Sequence, residues 1–567
     1  MIKKLFFFLF SNIIVISVLF NNTFAQSKED VFVKSAYKPI LSDANKILSN
    51  PKNDDTAKVK LKTIYLFNSK RFDFKYKVAA INPAKVSGVP LTKLYKSLLK
   101  VGYGNYNTPY FEIFVNSLRS SKYSLGAHFK HISSSATFKD YGFSGYSDNN
   151  ADIYAKRFYS RYVLSSDIDF KRNVVHYYGY DTSAFHKNFN EELSKAAIKQ
   201  CFVFIKGEIN LTSNHADTVH YNYNAKLRYY NFSDIFNVGE NNVLLKGSIS
   251  KYVSVDKQLE NEKFIIPLII NYYNNTNFAE STLSNILINV KPQLDFSIKD
   301  LKMNIGFNTF IEAGDESEAG LCAYPSIDAS LKIVENLFIV YGGIDGNDIH
   351  NSFKTIADEN PFIITPLKLK NTYDKFDFYG GVRGSLSPKI YFNAKFISRN
   401  LKNFLLFTND KYDSLKTKKD VFNMFDVIYD GAKLINLFGE IGYQNSEKLR
   451  FLLKGNYYKY DMEHELKAWH KPLYDFTLST NYNLRDKIIT KLDLIALGSH
   501  YVKTSDPLNR AKEEKGIFEI NLGFEYRYTK IISIFLNFNN ITAARYYKWN
   551  GYPSQRFNFL CGITYAL

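Results

Sequence analysis

Three cysteines, Cys201, Cys322 and Cys561, are all that the 567 residues contain, so no disulfide framework holds this chain together. After the first 25 residues no run approaches the roughly 20 consecutive apolar residues that a spanning helix requires, which excludes a helical membrane protein. There is no Walker sequence and no paired-cysteine metal signature. The linkers that would separate several soluble domains are missing as well. Aromatic residues are abundant instead: 43 Tyr and 48 Phe bring the aromatic share to 16%, which excludes a disordered chain. Mean hydropathy is nevertheless −0.25, and this pairing of many aromatics with modest hydropathy suits a β-protein with one apolar face.

The first 25 residues read as a secretory signal peptide. Lys3 and Lys4 form a basic start, Leu5–Phe20 is apolar apart from Ser11, Asn12 and Ser17, and Thr23-Phe24-Ala25 precedes Gln26 as a cleavage site. No Cys follows it, so a lipoprotein is not expected. Removal of the leader takes the net charge from +18 to +16. A pI near 9.2 fits nucleic-acid binding, but an exported chain does not meet nucleic acid. The dispersed Lys and Arg are expected to face lipopolysaccharide phosphates or to line a lumen that favours anions. Residues 26–96 are Lys-rich, weakly patterned and interrupted by Pro39, Pro51, Pro83 and Pro90, so a partly disordered periplasmic extension is expected, with a short helix over Ile40–Leu48.

From Ser97 onward the period becomes two. Phe518, Ile520, Leu522, Phe524, Tyr526 and Tyr528 alternate with Glu519, Asn521, Gly523, Glu525 and Arg527, as a strand with one face on lipid and one on water would. Tyr474–Leu484 and Phe557–Leu567 repeat the split, and such runs extend about ten to twelve residues, enough for a tilted strand to cross a bilayer. In the N-terminal half the pattern is weaker: Phe111, Ile113 and Val115 oppose Glu112 and Asn116, while Leu125, Ala127 and Phe129 oppose Gly126, His128 and Lys130. It lapses between Asp181 and Gln200.

Connections alternate in length. Short ones fall at 385–389, 445–448, 484–487 and 528–530, and long ones at 400–430, 460–472, 500–516 and 540–555. This is the asymmetry of outer-membrane barrels, short turns on the periplasmic side and long loops outside. The expectation is an all-β fold over 97–567, one large antiparallel transmembrane barrel of about 16–22 strands with a short N-terminal extension, located in the cell outer membrane.

The C-terminal stretch Asn539-Asn540-Ile541, then Tyr546-Tyr547-Lys548-Trp549-Asn550-Gly551-Tyr552-Pro553, then Arg556-Phe557-Asn558-Phe559 and Gly562-Ile563-Thr564-Tyr565, resembles the end of TonB-dependent receptors. Gly102-Tyr103-Gly104-Asn105-Tyr106 through Asn116-Ser117-Leu118-Arg119-Ser120 resembles plugless, receptor-like barrels of Bacteroidetes-type bacteria. The resemblance implies the barrel and its place in the outer membrane. A family plug takes well over a hundred residues, whereas about seventy lie between Ala25 and Ser97, and Leu567 stands where the family usually ends in Phe. Energised import is therefore not carried over.

Few residues group as chemistry would need. His131 and Ser133 lie two apart on one strand face, a spacing that resembles an outer-membrane phospholipase, but no orienting third group or oxyanion donor is visible nearby, so a polar strand end is expected. Asp461, Glu463, His464, Glu465 and His470 share one long connection, where Ala468 replaces the second His of a zinc-protease motif, and a solvated loop is expected. Gly102-Tyr103-Gly104 and Gly342-Gly343 read as bends or barrel-wall glycines. No catalytic, cofactor-binding or metal residue is assigned and no enzyme is expected. The function expected is solute passage or capture by a plugless receptor-like barrel, the alternative being a non-transporting barrel that anchors or scaffolds a surface or secretion assembly. Expected partners are outer-membrane lipid and lipopolysaccharide, the barrel assembly machinery, a small solute and a periplasmic or surface protein. The long 400–430 and 540–555 connections are the candidate ligand or partner surfaces.

Overall fold

In the computed structural model, residues 95–567 are described, apart from 184–185, 187–192, 215–218, 279–280, 316–319, 336, 410–422 and 505–509. The expected leader and nearly all of the 26–96 extension lie outside the described residues. One antiparallel sheet of 23 strand segments runs from Ser97–Gly104 to Asn558–Ala566. Two of those segments, Ser281–Val290 and Gln293–Ile298, pair with the same neighbours on either side of Lys291-Pro292 and form one strand interrupted where proline cannot donate to the ladder. The barrel therefore has 22 strands, at the top of the expected range.

The sheet closes on itself. Leu98 to Gly104 pair antiparallel with Ala566 to Leu560, and the amides of Ser97 and Leu567 bond each other's carbonyls at 3.0 and 2.9 Å. At this seam Gly102 lies opposite Gly562, and a Cβ on Gly562 would stand 2.2 Å from the Val101 carbonyl oxygen and 2.5 Å from the Phe535 ring. The bare backbone lets Phe535, buried on the inner wall, cover the first-to-last pairing.

Alternation decides which side chains meet lipid. Phe518, Phe524 and Tyr526 are exposed on the outer face, and Phe476, Tyr482, Leu453 and Ile563 are exposed likewise. The N-terminal half follows the same parity, with Leu125, Phe129, Ile153 and Ile168 outward. Their neighbours Glu112 and His128 turn inward and pair at 3.2 Å. An apolar outer belt on a closed barrel is the construction of an outer-membrane protein.

Several strands run far past the expected ten to twelve residues. Ile390–Thr408 has 19 and Asp426–Asn445 has 20, so the expected 400–430 connection is shorter than its sequence spacing indicated. At the outer ends of these two strands Leu405, Phe407, Phe425 and Val427 are buried against material inside the mouth, and that packing extends the ladder beyond the bilayer. Every long connection falls at one end of the barrel.

Leu453, at mid-strand on the lipid side, tests the assignment of faces. Leu453→Lys should cost about 2–4 kcal/mol in urea unfolding from liposomes. Lys454→Gln, one residue away and turned to the lumen, should stay within about 0.5 kcal/mol.

Candidate functional site

The end of the barrel that carries the long connections is filled by them. The helix Phe353–Glu359 starts on Ser352, whose hydroxyl accepts from the Thr355 amide at 3.1 Å, an ordinary N-cap. Phe353, Ile356 and Ala357 are its buried face. Phe353 packs edge-on against Phe232 and Phe202, with ring centroids 5.1 and 6.3 Å away, both on the inner barrel wall. The Glu240 carboxylate, fully buried at the start of its strand, accepts from the Phe353 amide at 2.6 Å and the Tyr230 hydroxyl at 2.7 Å. One wall carboxylate thus satisfies an orphan amide of the first helical turn and holds the helix inside the mouth.

Around this helix the other connections interlock. Phe362 stacks on Tyr552 at 3.9 Å, and Trp549 packs edge-on against Phe407 at 5.0 Å and Phe425 at 5.5 Å. The Tyr552 hydroxyl donates to the Asn423 carbonyl at 3.0 Å. The Asn423 amide nitrogen donates to the carbonyls of Gly179 and Asn550, both at 2.9 Å. Between Trp549 and Tyr552 the chain reverses at Gly551, whose φ of +83° is a conformation that glycine adopts without strain. Tyr177, just before the stretch where the sequence pattern lapses, is buried and donates from its hydroxyl to the Ile363 carbonyl at 2.9 Å. The 540–555 connection, a candidate ligand or partner surface, turns Trp549 and Tyr552 inward as the centre of this cap.

The 460–472 connection is exposed at Asp461, Glu463, His464, Leu466 and Lys467, as expected of a solvated loop, and docks at Ala468, Trp469 and His470. Trp469 is 1% exposed and donates from its indole to Glu465 at 2.8 Å, and Glu465 pairs with Lys503 at 3.0 Å. His464 reaches back to Asp430 at 2.8 Å. His470 enters the core instead, its Nδ1 on the Phe407 carbonyl at 3.0 Å and its ring 5.6 Å from that of His500. The side chains of His464, Glu465 and His470 therefore take different partners, and among the described residues no group of three or more His, Cys, Asp or Glu is placed to hold a metal ion.

Below the cap one section of inner wall is charged. Asp345, buried, binds Lys291 and accepts from the Ser326 hydroxyl at 2.6 Å. Asp374 and Asp377 are buried 3.7 and 3.5 Å from the Arg399 guanidinium nitrogen. Glu312 accepts from Tyr373 and Asn371, and Asp328 from Tyr379. Acids outnumber bases on this section, so the anion-favouring lumen expected from net charge is not what lies here.

On the opposite, lipid-facing side, His131 Nε2 lies 3.2 Å from Ser133 Oγ, the pair noted in sequence. The third group missing from the sequence pattern is Asn149 on the next strand, its Oδ1 2.7 Å from His131 Nδ1. Sequence spacing could not locate it, because strand register rather than proximity in the chain puts Asn149 opposite His131.

No protein-family profile matches the chain, and no curated protein matches it. Solved structures do. The ferric-catecholate import receptor Fiu from E. coli K12 superposes with a TM-score of 0.62 at 10% identity, over 83% of this chain and 82% of its own. The pyoverdine outer-membrane receptor FpvA from Pseudomonas aeruginosa PAO1 gives 0.63 at 11% identity, over 84% and 79%. The ferric enterobactin receptor PfeA from Pseudomonas aeruginosa gives 0.59 at 11%, over 83% and 80%. At such identities the likeness is one of fold: a receptor-like outer-membrane barrel whose neighbours are described as receptors rather than enzymes.

Two outcomes follow for the cap. Trp549→Ala should loosen it by about 3–5 kcal/mol. Hydrogen exchange should rise at Phe353, Phe362 and Phe425 with the barrel ladder still protected. Burial, then the neighbouring His500 and Lys471, holds His470 down to about 3, and burial lowers His500 despite the nearby Glu514. Both rings dock with their charged forms disfavoured, so cap stability is full above the ordinary histidine pKa of about 6.5 and falls as pH drops below it, by about 2 kcal/mol at pH 5 for His470. Limited proteolysis of the loops should therefore speed up between pH 7.5 and 5, and a His470→Phe/His500→Phe pair should flatten the dependence.

Proposed function

We propose that this chain is an outer-membrane barrel for solute passage or capture, receptor-like in its wall but without the receptors' plug, and closed at its outer mouth by its own loops. The observation that carries this reading is the combination of a closed 22-strand wall, polar on part of its inner face, with an aromatic cap built on that face. A barrel of 22 strands encloses far more space than side chains fill, so a lumen this wide needs a stopper if the membrane is to remain a barrier. Here the helix Phe353–Glu359 and the Trp549–Tyr552 tongue occupy the mouth where that stopper is needed. The charged inner wall beneath offers a cargo polar contacts spared from lipid. Ferric chelates, the cargo named for the structural neighbours, are the first solutes to try.

The test is conductance of the purified full chain in planar bilayers. Wild type should open rarely, and a Trp549→Ala/Tyr552→Ala pair should give long-lived openings whose current a captured solute blocks. Cap variants as silent as wild type would sink the passage reading and favour a scaffold. Deletion of Gln26–Lys96 would then be expected to remove co-purifying proteins without altering permeability.

A further inference from the structure

The outer face of the barrel carries a second constellation, unconnected with the lumen. On the strand Tyr123–Ser134 the odd-numbered residues Tyr123, Leu125 and Phe129 face lipid, and His131 and Ser133 continue that face. On the strand Tyr146–Phe158 the outward residue Ile153 sets the parity for Asn149 and Ser147. Register places His131 directly opposite Asn149, and Ser133 opposite Ser147. Asn149 is in turn opposite Arg172, which shares the outward face with Ile168 and Phe170. Five polar side chains thus form a block across three strands. The block sits at the strand ends leading to the long connections.

The hydrogen bonds within the block have a direction. The Asn149 amide nitrogen donates to Ser147 Oγ at 3.2 Å and to the Arg172 carbonyl at 3.4 Å, which turns its Oδ1 towards the imidazole. An amide oxygen only accepts, so the proton on His131 sits at Nδ1, 2.7 Å away. Nε2 is then a lone pair, 3.2 Å from Ser133 Oγ. The result is a hydroxyl beside an imidazole that is oriented by a third group, the arrangement of an activated serine nucleophile. Opposite it, the Ser147 hydroxyl accepts from Asn149 and keeps its own proton for donation.

From this geometry we infer that the barrel hydrolyses acyl esters of phosphate-bearing membrane lipids at its outer wall, with Ser133 as nucleophile, His131 as general base and acid, and Asn149 as the positioning residue. Ser133 Oγ bonds to the ester carbonyl carbon while its proton passes to His131 Nε2. The oxyanion that forms lies next to the Ser147 hydroxyl. Collapse breaks the bond to the lipid alcohol, which takes the proton from His131 and leaves as the lysolipid. Water, deprotonated by His131, then attacks the acyl-serine, and release of the fatty acid returns the proton to Ser133. The nucleophile faces acyl chains, so a lipid already in the bilayer is the substrate that reaches it, and Arg172 lies one strand away to hold a headgroup phosphate.

The experiment uses the purified full chain in two kinds of vesicle, one of phosphatidylethanolamine and phosphatidylglycerol and one containing lipid A, with fatty acid release measured by mass. A fluorophosphonate probe serves as an independent readout of the nucleophile. Release in either vesicle, together with a probe adduct on Ser133, is expected, and the vesicle that responds identifies the lipid. Ser133→Ala and His131→Ala should each lower release about 100-fold or more. Asn149→Ala should lower it about 10-fold, with Asn149→Asp restoring most of the rate, a rescue that a merely structural contact would not show. Heat-modifiable mobility on gels verifies that each variant still forms a barrel. Absence of release and of labelling in the folded wild type, or release undiminished by Ser133→Ala, would overturn the assignment.

Discussion

A peptide group in hydrocarbon has no water to bond, so a sheet that crosses a membrane must end where it begins. Everything else in this molecule follows from that closure. The first strand finds its last partner some 450 residues away, Leu98 on Ala566 and Gly104 on Leu560, and the ladder has no open edge among the barrel strands. The cost of closure falls on the seam, where two glycines meet because a Cβ on either would strike the backbone of the other strand. Phe535, laid over that gap, replaces the packing the glycines do not provide. Twenty-two strands so closed cannot fill their own interior, and the wide lumen is therefore a consequence of the wall rather than a separate feature.

The inner face answers this in two chemistries along the same strands. Midway down, inward positions are polar and charged, and buried carboxylates such as Asp345 and Asp377 have cationic neighbours in Lys291 and Arg399. Near the mouth the same parity carries Phe202, Phe204, Phe232 and Phe407, which form a core only because loops fold back onto them. The cap is thus a small globular protein core built on a barrel wall, and its loops are ordered by aromatic burial together with a short helix and hydrogen bonds from loop to loop. Stability of this kind is local, separate from that of the hydrogen-bonded wall.

Alternation was legible wherever one face is purely lipid-facing and the other polar, as in Ile517–Arg527. It became illegible where both faces turn apolar. In Lys199–Ser213 the inward Phe202 and Phe204 pack under the cap while the outward Ile205 and Ile209 meet lipid, so the period of two is lost in a run of hydrophobic residues. For the same reason 400–430 reads as a long loop although two strands extend into it. The C-terminal Tyr-Tyr-x-Trp-x-x-Tyr-Pro segment was recognisable as a resemblance, yet its inward position depends on Phe362, Phe407 and Phe425, distant residues that no local pattern connects to it. The histidine and aspartate cluster of 461–470 shows the converse, since neighbours in sequence go to different partners once the connection docks.

Register links the wall to its lipid-facing polar block. A strand slipped by one residue exposes its whole inner face to lipid, so burial of one face and exposure of the other fix the pairing of Tyr123–Ser134 with Tyr146–Phe158. That same pairing sets His131 against Asn149 and Ser133 against Ser147. The hydrophobic effect on Leu125, Phe129 and Ile153 thus positions three polar groups to within hydrogen-bond distance, without a loop or helix to aim them. Polar side chains on a lipid face are disfavoured unless they bond one another, and the bonds they make here leave one hydroxyl on an imidazole lone pair. A rigid wall that must be closed to exist is for this reason also a scaffold on which cross-strand chemistry needs no further support.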